Sequence, residues 1–287
     1  MSLKKFESKN PNSKKEGEYL DSEALKKRYS KLENVKILGD VFIDKFNEKA
    51  PLTVYRYIRY CWAKEMIDSN IVSFANPKVW EDPFEKRFIN GNYQSSGFAP
   101  KQLACFCVTT EHGLNEAAFW RGFDPDGQHD LVQLTLDFDV LLNSLDSFAG
   151  RHNATIYVKA CDYTYTSEQL KSSGKKSFLK NVDSLDEEGF INLMSLKRRA
   201  FASENELRLF VYGDNLSFEN GYLKIPFEDK LVKTMKICPN PNREAFLSEE
   251  DIKLCLKKRF EEKNISIVNS LLYDKVPVFN FKKGAKT

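Results

Sequence analysis

Residues 197–212 read KRRAFASENELRLFVY, and two different periodicities meet within them. Up to residue 201, side chains suited to a buried face recur at intervals of four, three and four, which predicts a helix. The residues on that face are Phe190, Met194, Lys197 and Phe201. From residue 207 onward, one side of an alternating pattern is aliphatic, which predicts a strand with that side against a core. The aliphatic residues are Leu207, Leu209 and Val211, and they alternate with Arg208, Phe210 and Tyr212.

Four charged residues surround this junction between helix and strand: Lys197, Glu204, Glu206 and Arg208. The two glutamates are two residues apart, so an extended backbone would present them on one side. Charged groups that approach a core need partners. The four residues therefore form either a structural ion-pair cluster or a functional site, since both arrangements perturb pKa values.

The composition favours one domain with additional terminal segments. The chain has 287 residues, of which 41% are hydrophobic, and its formal net charge is +3. A net charge this close to zero gives no strong positive electrostatic potential over the whole protein, of the kind that nucleic-acid-binding proteins carry. We predict a polar, basic arm over residues 1–20, a helical extension over 21–50 and one α+β domain over 51–287. The arm either solubilises the chain or binds a partner protein.

Neither the cysteines nor the histidines are spaced as metal ligands. The six cysteines include no Cys-x-x-Cys pair, and the three histidines have no zinc-like spacing. We expect reduced thiols, no His or Cys metal site and a cytoplasmic protein. The first residues lack the apolar segment of a signal peptide, and no apolar run reaches the roughly 18 residues of a membrane span. Magnesium held by carboxylates alone stays open.

Several short segments alternate or are continuously apolar, and turn residues separate them. They predict strands over residues 71–75, 103–109, 132–138, 155–161, 222–225, 231–237, 265–268 and 276–281. Helical patterns lie between some of them, and residues 248–260 begin with a capping box. This mixed order predicts an α+β fold, with a single mixed, mainly antiparallel sheet and flanking helices.

The sequence lacks a Gly-x-Gly-x-x-Gly motif after a strand, a Walker loop and a Gly-x-Ser-x-Gly elbow. The distinctive segments that remain are Tyr55-Arg56-Tyr57, residues 80–85 (WEDPFE), Cys105-Phe106-Cys107, Trp120 and the segment from Lys197 to Arg208. In this order they resemble the bacterial family called domain of unknown function 2971, over about residues 52–270. The chain departs from that family at Gly122-Phe123, at Glu81 and at Phe201-Ala202.

The Glu204-x-Glu206 pair at the start of a strand is also similar to the motif of arginine-type ADP-ribosyltransferases. This second resemblance implies an ADP-ribosyltransferase-like fold and NAD as a substrate. Glu206 would stabilise the oxocarbenium ion that forms as nicotinamide leaves, and Glu204 would be the general base. The residues that would hold NAD are Tyr55, Arg56, Trp120, Phe123, Lys197 and Arg208.

The first functional hypothesis is therefore an NAD-consuming transferase or glycohydrolase, such as a toxin or phage-defence effector acting on protein or nucleic acid. The second is a non-catalytic module that recognises a nucleotide or peptide through Tyr55, Trp80 and Trp120. The third is a metal-dependent nuclease. Its candidate ligands are Asp82, Glu85, Glu204 and Glu206.

Overall fold

The computed structural model of the chain describes residues 19–41, 43–44, 52–90, 98–110, 120, 122, 131–163, 186–238 and 263–269. Several expectations lie outside these residues. They concern the arm over 1–18, the site residue Phe123, the helix over 248–260 and the strand over 276–281.

The described residues contain thirteen strands and five α-helices, together with 3-10 turns. The strands are β1 Tyr19–Leu20, β2 Val35–Leu38, β3 Ile43–Asp44, β4 Thr53–Arg59, β5 Ile71–Ala75, β6 Gln102–Thr109, β7 Leu131–Asp137, β8 Thr155–Ala160, β9 Glu206–Gly213, β10 Phe218–Glu219, β11 Tyr222–Pro226, β12 Val232–Ile237 and β13 Ser266–Asn269. The α-helices are α1 Ser22–Arg28, α2 Tyr60–Ser69, α3 Pro83–Ile89, α4 Phe138–His152 and α5 Glu187–Met194. Short 3-10 helices span Pro77–Val79 and Arg199–Glu204.

Eleven of these strands form one sheet, so the expected α+β class with a mixed, mainly antiparallel sheet is confirmed. The parallel pairs are β2 with β8 and β12 with β13. Strands β1 and β3 form a separate antiparallel pair. No helix in the described ranges is long and apolar enough to cross a membrane.

The sheet divides at β6. One edge of β6 pairs along its length with β9, which continues to β8 and β2. The other edge is shared by two strands. Tyr55 of β4 pairs with Thr109, and Ala75 of β5 pairs with Cys105. Strand β4 continues to β7, β12 and β13, whereas β5 continues to β11 and β10. We call the gap between β4 and β5 along β6 the fork.

Each face of the sheet has its own apolar core. The larger core contains alternate residues of β6 and β9, such as Phe106 and Leu209, packed with the buried sides of α2 and α4. The smaller core uses the opposite side of the same strands, with Cys105 and Phe210, and α5 covers it. Because both faces are covered, all eight residues of β9 are buried.

The segment before residue 51 contributes directly to this architecture. Strand β2 forms a parallel ladder with β8, and Leu25 of α1 is fully buried in the larger core. Helix α1 is held against α4 by Arg28 and Tyr29, which both donate hydrogen bonds to the carboxylate of Asp139. The predicted extension is thus partly β-structure.

The expected helix through Phe201 is wrong, because α5 ends at Met194. Leu196 instead forms a parallel bridge with Asp162, and the backbone N–H of Lys197 donates to the carbonyl of Asp162 at 3.0 Å. A contact more than thirty residues away in sequence therefore replaces the next helical turn. Lys197 lies beyond the helix, and its Nζ reaches Glu206 at the start of β9.

Candidate ligand-binding site

A cavity of about 750 Å³ is lined by residues on both sides of the fork. Strands β4 and β6 provide Arg56, Ile58, Cys105, Phe106 and Cys107. Helix α2 provides Trp62, Glu65, Met66 and Ser69. The far side is formed by Ile71, Ser73, Ala75, Trp80, Glu219, Asn220, Tyr222 and Lys224. Its volume is within the range of small-molecule sites, about 300–1,000 Å³.

Arg56 is the residue that joins the cavity to the fork. Its Nη1 donates to the carbonyl oxygen of Cys107, on the stretch of β6 between the β4 and β5 pairings. Its guanidinium carbon lies 4.1 Å from the ring centroid of Phe106. The Nε of Arg56 is buried without a hydrogen-bond partner, and among the described residues no carboxylate forms an ion pair with Arg56. Burial lowers the pKa of this guanidinium. The site therefore has a half-buried cation that forms no ion pair with any described carboxylate.

The opposite wall carries a second cation, which is already neutralised. Lys224 donates to Ser73 Oγ at 3.1 Å and lies 3.5 Å from the carboxylate of Glu65. The aromatic rings of Trp62 and Tyr222 are exposed, at 52% and 39%. Such rings beside a cavity provide apolar surface for stacking a flat ligand.

The hairpin between β10 and β11 closes one end of the cavity. Asn220 and Gly221 both have positive φ, 50° and 83°, as a two-residue hairpin turn requires. A Cβ at Gly221 would lie 2.6 Å from Cγ1 of Val79, so only glycine fits this contact. The same turn accepts a hydrogen bond from the N–H of Asn76 at 2.8 Å. The turn thus holds the segment that leads to Trp80.

Arg56 does not lie with Tyr55 and Trp120, contrary to the expected NAD-binding set. Successive residues of a strand face opposite sides. Tyr57 packs edge-on against Trp120 at 4.8 Å, in a small cluster that also contains Leu131. Tyr55 is on the same side of β4 as Tyr57, and of Tyr55, Arg56 and Trp120 only Arg56 lines the cavity.

The charged residues at the start of β9 form a buried ion cluster. Lys197 Nζ donates to Glu204 at 2.5 Å and to Glu206 at 2.6 Å. Arg208 Nε donates to the other carboxylate oxygen of Glu206. Glu206 is 8% exposed and does not line the cavity. The geometry of these residues therefore matches the first of the two alternatives stated from the sequence, a structural ion-pair cluster.

Two further groups hold Arg208. Its Nη2 donates to Glu85 of α3, and its Nη1 donates to the carbonyl of Met194 at 2.6 Å. Its guanidinium carbon lies over the ring of Trp80, 4.6 Å from the centroid. Lys197, Arg208 and the two glutamates thus hold one another, as the ion-pair alternative from the sequence states, and Arg208 of this cluster packs on Trp80.

The cluster sets the protonation of its members. Burial acts to raise the pKa of the Glu206 carboxyl, but the charges and hydrogen bonds of Arg208 and Lys197 outweigh burial and hold that pKa well below its ordinary value. Burial acts to lower the pKa of Lys197, and Glu206 and Glu204 raise it above its ordinary value. The pKa of Glu204 is raised, mainly by burial, against the opposing effect of Lys197.

The carboxylates proposed as nuclease ligands all have cationic partners. Asp82 accepts from Arg198 at 2.8 Å and caps α3 through the N–H of Phe84, while Glu85 accepts from Arg208. Within the described residues, no three His, Cys, Asp or Glu side chains are grouped as a metal would require. The four acids serve as ion-pair partners in this fold.

Sequence reasoning missed Trp62, Tyr222 and Lys224. Trp62, Glu65 and Ser69 share one side of α2 at helical spacing, and Trp62 interrupts an otherwise polar surface. An exposed tryptophan on the polar side of a helix was the available signal. The sequence contains no such signal for Tyr222 and Lys224, because their place beside the fork depends on the pairing of β11 with β5.

No known protein-family model matches the sequence, and a search of curated proteins finds no significant match. The resemblances to domain of unknown function 2971 and to ADP-ribosyltransferases therefore stay predictions from short motifs. The cavity itself supplies the basis for a functional proposal.

Proposed function

We propose that the protein binds a nucleotide in the fork cavity, with a phosphate on Arg56 and the base against an aromatic wall. The observation that carries the proposal is the state of Arg56, a half-buried guanidinium that lines the cavity and has no ion-pair partner among the described residues. Burying an unpaired charge is unfavourable, and an anionic ligand would relieve that penalty. A guanidinium is the side chain best suited to phosphate recognition.

The remaining lining favours a nucleotide over a bare anion. Trp62, Trp80 and Tyr222 provide ring surface, and nucleobases stack on such rings. The carboxylates of Glu65 and Glu219 can accept hydrogen bonds from ribose hydroxyls or base amino groups. NAD is the nucleotide that the transferase resemblance implies, so it belongs among the ligands tested.

Isothermal titration calorimetry with AMP, ADP and NAD tests the proposal, and adenosine is the uncharged comparison. We expect at least one nucleotide to bind more tightly than adenosine, because only a phosphate pairs with Arg56. Arg56→Met should weaken that binding by roughly tenfold to a hundredfold, which corresponds to about 1.5–3 kcal/mol of charge-assisted hydrogen bonding.

The matched control is Lys36→Met, which removes an exposed cation from β2 that does not line the cavity. This variant should bind like wild type. The proposal fails if none of the nucleotides binds, or if Arg56→Met binds as tightly as wild type.

A second candidate is the NAD-consuming transferase predicted from the sequence. One observation favours it: Glu204 has a partly exposed side chain, at 24%, and a raised pKa, as a general base requires. Such turnover would fit a toxin or phage-defence effector. Release of nicotinamide from NAD by wild type, and its loss in Glu206→Gln with the fold preserved, would support it. Nucleotide binding without nicotinamide release favours the binding module.

A further inference from the structure

Trp80 is the residue at which the ion cluster meets the cavity. It lines the cavity, and the guanidinium of Arg208 covers its ring at 4.6 Å. Arg208 itself is 2% exposed. A cation so placed is attracted by the face of an indole ring, by more where both are shielded from water. The packing therefore ties the orientation of Trp80 to the position of Arg208.

Three hydrogen-bond acceptors hold the planar guanidinium of Arg208 in place. Glu206 accepts from Nε, Glu85 accepts from Nη2 and the carbonyl of Met194 accepts from Nη1. These acceptors come from β9, α3 and α5, so three elements converge on one guanidinium. A planar group held on three sides has little freedom to rotate. It presents a rigid surface to the ring above it.

The backbone of Trp80 is also anchored. Its N–H donates to the carbonyl of Pro77, at the end of the 3-10 helix, and Val79 contacts Gly221 of the hairpin turn. The side chain is thus held at one end by its own chain and over its ring by Arg208. Pre-ordering of this kind removes part of the entropy that a ligand would otherwise lose on binding.

We propose that Arg208, with Glu85 and Glu206, positions Trp80 as a stacking platform for the flat heteroaromatic ring of the ligand. The charged residues at the start of β9 would then be positioning residues for recognition. The stacking role rests on the proposed function, because it needs a base in the cavity. The rigidity of Trp80 does not depend on the proposed function, and it can be measured without any ligand.

Fluorescence of Trp80 tests the positioning role directly. In a background with Trp62→Phe and Trp120→Phe, Trp80 is the remaining tryptophan, since the chain has three. Glu85→Gln removes a charge that pairs with Arg208 and keeps a hydrogen-bond acceptor. It should increase quenching of Trp80 by acrylamide and red-shift its emission. Glu204→Gln is the matched control, because Glu204 pairs with Lys197. This control should leave both readouts unchanged.

Equal quenching in the two variants would overturn the positioning role. Should Glu85→Gln not fold, judged by circular dichroism, Arg208→Lys gives the same readout, since it keeps the charge but lacks the planar fork. An unchanged Trp80 signal in that variant overturns the role equally.

The stacking role is tested with AMP, ADP and NAD in the otherwise natural chain. Trp80→Leu should weaken the tightest nucleotide by about tenfold, and Trp80→Phe should retain most of the affinity, as stacking on an aromatic ring predicts. Full affinity in Trp80→Leu overturns stacking while leaving nucleotide binding intact. Absence of nucleotide binding in wild type overturns the proposed function and stacking together, and the quenching comparison still decides the positioning role.

Discussion

Arg56 combines a functional placement with an unfavourable environment. Among the described residues it donates to the Cys107 carbonyl and packs on Phe106, but it forms no ion pair with a carboxylate. Desolvation disfavours a charged group, which is why burial lowers its pKa. Binding sites often retain residues of this kind at the expense of stability.

Arg56→Met should therefore not destabilise the unliganded protein. The variant loses the bond to Cys107 but removes a buried charge, so we expect between no change and a gain of about 2 kcal/mol in the free energy of unfolding. Urea denaturation without nucleotide measures it. A loss larger than about 2 kcal/mol would mean that Arg56 is chiefly structural.

The resemblance to ADP-ribosyltransferases implied Arg56 as an NAD-binding residue. It also grouped Tyr55 and Trp120 with Arg56, whereas of these three only Arg56 lines the cavity. Neighbouring residues of β4 face opposite sides of the sheet, and Arg56 lines the cavity whereas Tyr55 does not. Trp120 then follows Tyr57 on the other side.

At the scale of single elements, the charged residues that alternate at the start of β9 pair with each other. Glu206 and Arg208 are on the same side of the strand, and each neutralises the other in the smaller core. Helices α3 and α5 add further acceptors to the guanidinium. Buried ion pairs of this kind contribute little net stability when intact but are costly to break.

Glu206→Gln should make the free energy of unfolding less dependent on pH in the acid range. The pKa of Glu206 is lowered in the folded protein, so its contribution is present above about pH 4.5 and is lost as the pH falls through the folded-state pKa. At neutral pH the variant should be less stable by about 3–5 kcal/mol, and the difference from wild type should shrink below pH 4.5. Urea unfolding at a series of pH values measures this difference.

Asp139 and Glu187 also have lowered pKa values, and they titrate in both proteins, so they cancel from the difference. A gap between wild type and variant that stays constant down to acid pH would contradict the assignment of the lowered pKa to Glu206.

Most strands could be read from alternation, whereas element ends could not. The expected strands over 71–75, 103–109 and 155–161 lie within one residue of β5, β6 and β8. Helix α4 begins at Phe138, and Asp137 is its N-cap. The end of α5 depends on Asp162, a distant residue that local periodicity does not include.

At the scale of the whole molecule, strand β2 joins the segment before residue 51 to the main sheet. Leu25 and Tyr29 are buried in the larger core, and β2 covers an edge of β8. An uncovered edge strand exposes unpaired backbone groups and favours aggregation.

Deleting residues 1–50 should therefore destabilise the domain and reduce its soluble yield. Loss of buried Leu25 alone exposes apolar surface worth about 1.5–3 kcal/mol, before the ladder of β2 is counted. Deleting residues 1–18 is the matched control, because it leaves α1 and β2 in place. Thermal denaturation compares the two truncations. Equal melting temperatures would mean that the segment over 19–50 is dispensable.

Because the sheet divides at the fork, a molecule bound there would affect how its two branches move relative to each other. Strands β4 and β5 each meet β6 at one residue pair, and otherwise α2 is the chain that links them. Arg56 stands on one branch and Lys224 on the other. A molecule that contacts both residues would connect the two branches across the fork and restrain their motion relative to each other.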